Sequence, residues 1–171
     1  MGRVPMSAVA AIVEARAGSD ASRRRLDPAS VTRERATLLS TVPLFADLSR
    51  RHLRQLSQLA SETNVRSGGY VVQAGQPGRA FYVILEGRAK VVRGAGPSGR
   101  RVATLGPGDF FGELALLDGG PRTASVIAEG DLVAIRVPRS AFRRMLRSDA
   151  DVGIKLLENL ASIVRKQSPS E

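Results

Sequence analysis

Phe111-Gly-Glu-Leu-Ala-Leu-Leu-Asp-Gly-Gly-Pro-Arg-Thr-Ala-Ser-Val126 pairs an acid, Glu113, with a base, Arg122, nine positions further on. Glu113 to Leu117 consists of helix formers with room for about one turn. Gly119 and Gly120 let the chain reverse, and Pro121 stiffens its exit. Thr123 to Ala128 reads as a strand. The acid is therefore expected at a helix start, with the base carried back on a loop to face it. A helix start offers unpaired backbone N–H groups and partial positive charge, which suit a phosphate. An arginine adds a planar fork that grips phosphate oxygens. A carboxylate repels phosphate, so Glu113 is expected to bind hydroxyls of the same ligand. The local chemistry asks for a phosphate ester beside a sugar hydroxyl.

The chain around this stretch has 171 residues, enough for one domain and some tail. It has no Cys, which removes disulfides, thiolate metal sites and a thiol nucleophile, and fits a reducing, cytoplasmic setting. A single His, His52, removes multi-His metal centres and makes a His-based triad a poor reading. His52 lies off the apolar stripe of its helix and is read as a surface residue. No apolar run reaches membrane-spanning length, and Val9 to Val13 is too short, with Glu14 and Arg16 too close, for a signal peptide. Net charge is +10, carried by 23 Arg against 3 Lys. Such a balance suits an anionic partner. The basic residues are scattered over helices, strands and loops, however, and aromatics are few. A basic surface is the favoured reading, and nucleic acid the disfavoured partner.

Along the chain, residues 1–29 read as an N-terminal extension: an Ala-rich helix over Ser7–Ala17 stopped by Gly18, then a linker ending in Arg23-Arg24-Arg25. Residues 30–62 form a helical lead-in. Asp27-Pro28 is a helix-start signal for a helix to about Thr41, which Pro43 breaks. Val42, Leu44 and Phe45 are expected to pack as a plug, and Ser49 to cap a helix from Arg50 to about Ser61. Residues 63–138 then change to short strands separated by Gly-rich turns. Eight are expected: Thr63–Arg66, Tyr70–Gln73, Ala80–Leu85, Arg88–Arg93, Arg101–Leu105, Asp109–Phe111, Ala124–Ala128 and Leu132–Val137. This predicts a mixed α+β, mainly β fold: an eight-stranded antiparallel, jelly-roll-like β-roll with N-terminal helices and two C-terminal helices. Residues 139–166 hold the closing helices, the first capped by Ser140 and the last begun by Asp149 or Asp151. Residues 167–171 are a polar tail. The last helix has more apolar positions than one buried stripe needs. That surplus fits either fuller burial in the monomer or a second contact with a ligand or a second subunit, the latter giving a homodimer through this helix.

At residues 111–126 the sequence resembles the phosphate-binding cassette of the cyclic nucleotide-binding domain family. That family includes kinase regulatory subunits, nucleotide-gated channels and the bacterial catabolite activator protein. The likeness extends over roughly Leu39 to Val164. Gly75, Tyr82, Ile84, Gly87 and Val91 follow the family's run, as do Leu105, Gly108 and Phe111-Gly112-Glu113. The resemblance implies roles. Glu113 accepts from the ribose 2′-hydroxyl, and Arg122 pairs with the cyclic phosphate. Backbone N–H groups of Gly112, Leu114 and Ala115 assist, and Ala124 lies close to the ligand because it has no bulk. Family members with Ala at the position of Thr123 tend to prefer cAMP, and members with Thr can also bond the guanine amino group, so Thr123 permits cGMP without demanding it; cAMP is the expected ligand and cGMP the alternative one. Leu157, Leu160 and Val164 are the lid candidates, with Arg165 a weaker one.

The site has no paired carboxylates, no metal cluster and no base poised near neutral pH, so binding without turnover is expected, with no cofactor beyond the ligand. The chain ends at Glu171 with no helix-turn-helix after the last helix. The expected function is a stand-alone regulatory domain that binds cAMP, or cGMP, and signals by moving its flanking helices. The effector is then a partner protein in trans, the N-terminal segment, or part of a larger protein, the last mildly disfavoured by Met1. The alternative is a degenerate domain that binds no nucleotide and acts as a basic interaction module.

Overall fold

The computed structural model of the chain describes residues 2–20, 27–94, 96 and 98–167. The triplet Arg23-Arg24-Arg25 and the tail beyond Gln167 lie outside them. Two helices lead in: α1 (Met6–Asp20), preceded by a two-residue strand β1 (Gly2–Arg3), and α2 (Pro28–Ser40). A 3-10 turn (Pro43–Phe45) and α3 (Arg50–Leu59) follow. Asp27 caps α2 as its sequence predicts, its side chain accepting from the Ala29 N–H at 3.2 Å. Ser49 caps α3 by accepting from the His52 N–H. α1 runs past Gly18 to Asp20, because one glycine weakens a helix without ending it.

The roll strands are β2 (Ser61–Val65), β3 (Tyr70–Val72), β4 (Ala80–Glu86), β5 (Ala89–Arg93), β6 (Arg100–Leu105), β7 (Asp109–Phe111), β8 (Ser125–Ala128) and β9 (Leu132–Pro138). These eight match the expected strands to within two residues at either end. Every pairing is antiparallel. One sheet has the order β1-β7-β4-β9-β2, the other β3-β8-β5-β6. Between β7 and β8 lies the single turn α4 (Glu113–Leu117). After β9 come α5 (Arg139–Ser148) and α6 (Ala150–Gln167).

β4 explains why the fold has two cores. Successive side chains of a strand point to opposite faces. Phe81, Val83 and Leu85 pack toward the helices, with Phe45, Leu56, Phe142 and Leu156. Ala80, Tyr82 and Ile84 pack into the roll, with Val91, Val126 and Ala134. A strand covered on both sides reads as an unbroken apolar run, which is what 80–85 shows. Phe110 and Phe111 split the same way, Phe110 to the helical core and Phe111 into the roll.

Two differences from the sequence reading concern ends. The N-terminal extension is joined to the fold: β1 extends the first sheet at β7, the Val4 N–H donates to the Gly108 carbonyl at 2.7 Å, and Val4 before α1 and Val9 and Ile12 within it are buried. Each such burial contributes roughly 1.5–3 kcal/mol before entropy. Ser140 does not cap α5. Pro138 holds the extended N-cap position (φ −72°, ψ 143°), so the helix starts at Arg139 and Ser140 lies inside its first turn. Asp149, by accepting from the Asp151 N–H, starts α6. On α6, Val152 and Leu156 are buried while Ile154 and Leu157 are exposed, so the apolar surplus of this helix is not absorbed within the monomer. His52 is held between helices rather than free at the surface: its Nδ1 meets the Ser49 hydroxyl at 3.0 Å and its Nε2 lies 3.2 Å from an Asp149 oxygen. Among the described residues, no helix is long and apolar enough to cross a membrane.

Candidate functional site

The loop from Asp118 to Ala124 is shaped by its own backbone. An Asp118 oxygen accepts from the Gly120 N–H at 2.8 Å and closes the turn. The loop is then clipped to the turn before β4. Gly78 N–H donates to the Gly120 carbonyl, Arg122 N–H to the Gln76 carbonyl, and Gly75 N–H to the Arg122 carbonyl, all at 2.8–2.9 Å. These bonds fix where Arg122 leaves the backbone. Its guanidinium donates to the carbonyl of buried Ala80 and lies over the Tyr82 ring, 6.0 Å from the centroid. Tyr82 in turn stacks on Phe111 at 5.1 Å. Burial pushes the Arg122 pKa below its ordinary value, and Tyr82 and then Glu113 work against that shift. An arginine so placed keeps its charge, and the desolvation strengthens its pull on an anion.

Gly112 joins β7 to α4 and no other residue fits there. Its φ is +90°, and a Cβ would stand 2.5 Å from the Arg122 guanidinium and 2.9 Å from the Ala80 carbonyl oxygen. The glycine therefore sets the approach of acid and base. α4 has five residues, so few peptides align behind its N-terminus, and the main positive charge is Arg122 itself.

A cleft of about 280 Å³ runs along this loop. It brings together Gly112, Glu113, Arg122, Thr123 and Ala124. Leu114 and Ala115 belong to α4 at the same place, their side chains outside the described ones. Val72, Val91 and Val126 form an apolar wall that the sequence reading left unassigned. Strand alternation was the signal available for it: Val91 and Val126 face the roll with Tyr82. Two of the lid candidates, Leu157 and Leu160, are not in the lining of this cleft. α6 packs on the 3-10 turn and α5, with Asn159 donating to the Leu44 carbonyl at 3.3 Å. Leu157 is exposed, Leu160 packs on the helical core, and the Val164 side chain is outside the described ones.

One residue ties the cassette to the closing helices. Arg139, first in α5, donates through Nε to the Leu116 carbonyl at 3.2 Å and through its terminal amino group to Leu117 at 3.3 Å. It thereby satisfies carbonyls at the C-terminal end of α4. Among the described residues, no three His, Asp or Glu side chains gather to hold a metal.

Roll, cassette and cleft together define an antiparallel β-roll with a cleft beside its Glu113–Arg122 loop. Residues 62–149 match the cyclic nucleotide-binding domain family, and the chain belongs to it. Among solved structures it is similar to the N-terminal domain of a transcriptional regulator from Streptomyces coelicolor A3(2), with 32% identity, TM-score 0.65, 78% of this chain covered and 98% of that one. It is also similar to the regulatory domain of Toxoplasma gondii PKA with cAMP, at 25% identity and TM-score 0.63, covering 81% of this chain and 51% of that one. A third likeness is to the regulatory subunit of a cAMP-independent protein kinase A from Trypanosoma brucei, at 25% identity and TM-score 0.63, covering 83% of this chain and 48% of that one. By name these relatives are a domain of a transcriptional regulator and regulatory parts of protein kinases. The fold and the family imply a cyclic nucleotide as ligand.

Proposed function

We propose that the chain is a cytoplasmic receptor domain for a purine 3′,5′-cyclic nucleotide, cAMP in preference to cGMP. The observation that carries this reading is the pairing, in one cleft with an apolar wall, of a half-buried Arg122 with Glu113. Arg122 binds the cyclic phosphate, and Glu113 accepts from the ribose 2′-hydroxyl. The backbone N–H groups of Gly112, Leu114 and Ala115 assist, and Ala124 leaves room for close approach. The purine lies against Val72, Val91 and Val126. Binding orders the cassette, and α6 then swings so that Leu157, Leu160 or Val164 covers the base. A ligand shifts that balance only by its difference in affinity for the two states. The moved helices signal to an effector protein in trans. On this reading the site binds without turnover, Arg122 and Glu113 both being engaged in holding the ligand.

Calorimetric titration with cAMP, cGMP and cyclic dinucleotides tests this. Ligand pockets run to about 300–1,000 Å³, and a cleft of about 280 Å³ suits a mononucleotide. Cyclic AMP should bind at one site per chain and cyclic dinucleotides should not. The absence of any heat with cAMP would favour the second reading, a domain that binds no cyclic nucleotide. The likeness to a cAMP-independent kinase subunit keeps that reading in play.

Two variants refine the ligand roles. Glu113→Ala should weaken cAMP by about 1.5–3 kcal/mol, the range of a hydrogen bond to a charged group, and should barely change binding of 2′-deoxy-cAMP. Equal losses would contradict ribose recognition. Thr123→Ala should cost about 0.5–1.5 kcal/mol of cGMP affinity and leave cAMP unchanged. A constant cGMP-to-cAMP ratio would remove Thr123 from base selection.

A further inference from the structure

Six arginines line a groove of about 710 Å³ separate from the nucleotide cleft. Arg79 comes from the turn before β4, Arg136 from β9, and Arg139, Arg143, Arg144 and Arg147 from α5. No Asp or Glu lines the groove, and among the described residues none of the six forms an ion pair. These arginines are scattered in the chain and gathered in space, because β9 and α5 are consecutive and the turn before β4 pairs back beside them: Ala80 opposes Pro138, and the Arg139 N–H donates to the Arg79 carbonyl. Like charges crowded into a recess repel each other and hold counterions, which an anionic partner displaces.

We propose that this groove docks an acidic peptide segment of a partner protein. The guanidinium fork matches carboxylates two bonds at a time. Arg139, Arg143 and Arg147 recur every fourth residue, so they are spaced by ~6 Å along α5. Alternate side chains of an extended peptide stand ~6.7 Å apart on one face. A segment with acids at every second position can therefore meet these arginines in step. Nucleic acid fits less well. No aromatic residue lines the groove to stack bases, and the groove of a duplex accepts a protruding element rather than a recess.

The groove also touches the cassette. Gly119 is in its lining, and a Cβ there would stand 2.6 Å from the Arg139 guanidinium, whose donors hold Leu116 and Leu117. Docking at Arg139 and ligand binding at the cassette thus compete for, or reinforce, one set of contacts, and any coupling between them is reciprocal. Only this coupling rests on the cAMP reading.

The test is fluorescence anisotropy of a labelled Glu-Ser-Glu-Ser-Glu-Ser-Glu peptide, with a seven-nucleotide single-stranded DNA as rival, on the full chain at one ionic strength. Arg143→Glu with Arg147→Glu should weaken peptide binding by about tenfold or more. Arg66→Glu with Arg100→Glu, an equal charge change at exposed sites on other elements, should weaken it by less than about threefold. Arg143→Gln with Arg147→Gln serves where charge reversal lowers the melting temperature. Equal losses from the two pairs, or tighter binding of the DNA, would overturn the proposal. Saturating cAMP should change the peptide Kd, and saturating peptide should change the cAMP Kd by the same factor. An unchanged Kd in a chain that binds cAMP would overturn the coupling. A chain that binds no cAMP would count against the ligand reading, and the groove would still be judged by the two charge-reversal pairs.

Discussion

Arg122→Ala is expected to lower cAMP affinity by about 2–5 kcal/mol, the cost of leaving a desolvated phosphate without its partner. Measured calorimetrically, that is a Kd raised at least about thirtyfold. The expectation follows from where the guanidinium sits. It is half-buried, it is held over Tyr82, and Gly112 leaves the space it occupies. The same side chain also donates to the Ala80 carbonyl, and losing that bond strands a buried acceptor at about 1–3 kcal/mol of folding stability. Binding and folding losses are separated by measuring both. Arg122→Lys keeps a charge but not the fork, so it should recover stability only in part and affinity by about 1–2 kcal/mol. A Kd that moves less than tenfold on Arg122→Ala, with the protein still folded, would remove Arg122 from phosphate binding.

Most of the roll was legible because its signals are local. β4 shows an apolar run, Gly75, Gly87 and Gly108 punctuate the strands, and Asp27 and Ser49 announce their helices. The acid and base were legible for the same reason: Glu113, the glycines and Arg122 lie within one short stretch whose turn chemistry states its own reversal. What sequence missed depends on contacts between distant segments. β1 pairs through backbone atoms of two residues, which leave no periodicity to read. The Arg122–Ala80 bond and the Arg139 contacts with α4 each join residues that are more than twenty positions apart. The arginine groove follows from β9 and α5 meeting the turn before β4, so only its α5 part, with arginines every fourth residue, was visible in one dimension. The position of α6 is likewise a tertiary outcome. Its sequence carries apolar residues on more than one face, and nothing local selects which of them meets the 3-10 turn.

Phe45→Ala should destabilise the domain by about 3–5 kcal/mol, the usual cost of truncating a buried Phe. Phe45 is fully buried in the 3-10 turn. Its ring meets Phe81 of the roll at 5.4 Å, edge to face, and Phe142 of α5 at 6.3 Å. Edge-to-face pairs add about 0.5–1.5 kcal/mol to the area term. Exposed Leu59→Ala, as a control, should move stability by no more than about 0.5 kcal/mol. The denaturation midpoint in urea measures both, and a loss below about 1 kcal/mol for Phe45→Ala would mean that the turn repacks. The position of Phe45 gives the variant a second consequence. The same ring touches the sheet that carries Tyr82 and the helix that begins at Arg139, and α6 packs on the turn that holds it. Truncation leaves the cleft residues on the roll but loosens the base on which α6 rests. Hydrogen exchange should therefore accelerate in α6 before it does in β4 and β9. On the proposed reading, in which cAMP binding moves α6, the variant should still bind cAMP while showing less slowing of exchange in α6. Uniform acceleration across roll and helices would show instead that the domain unfolds as one unit and that the turn is no separate joint.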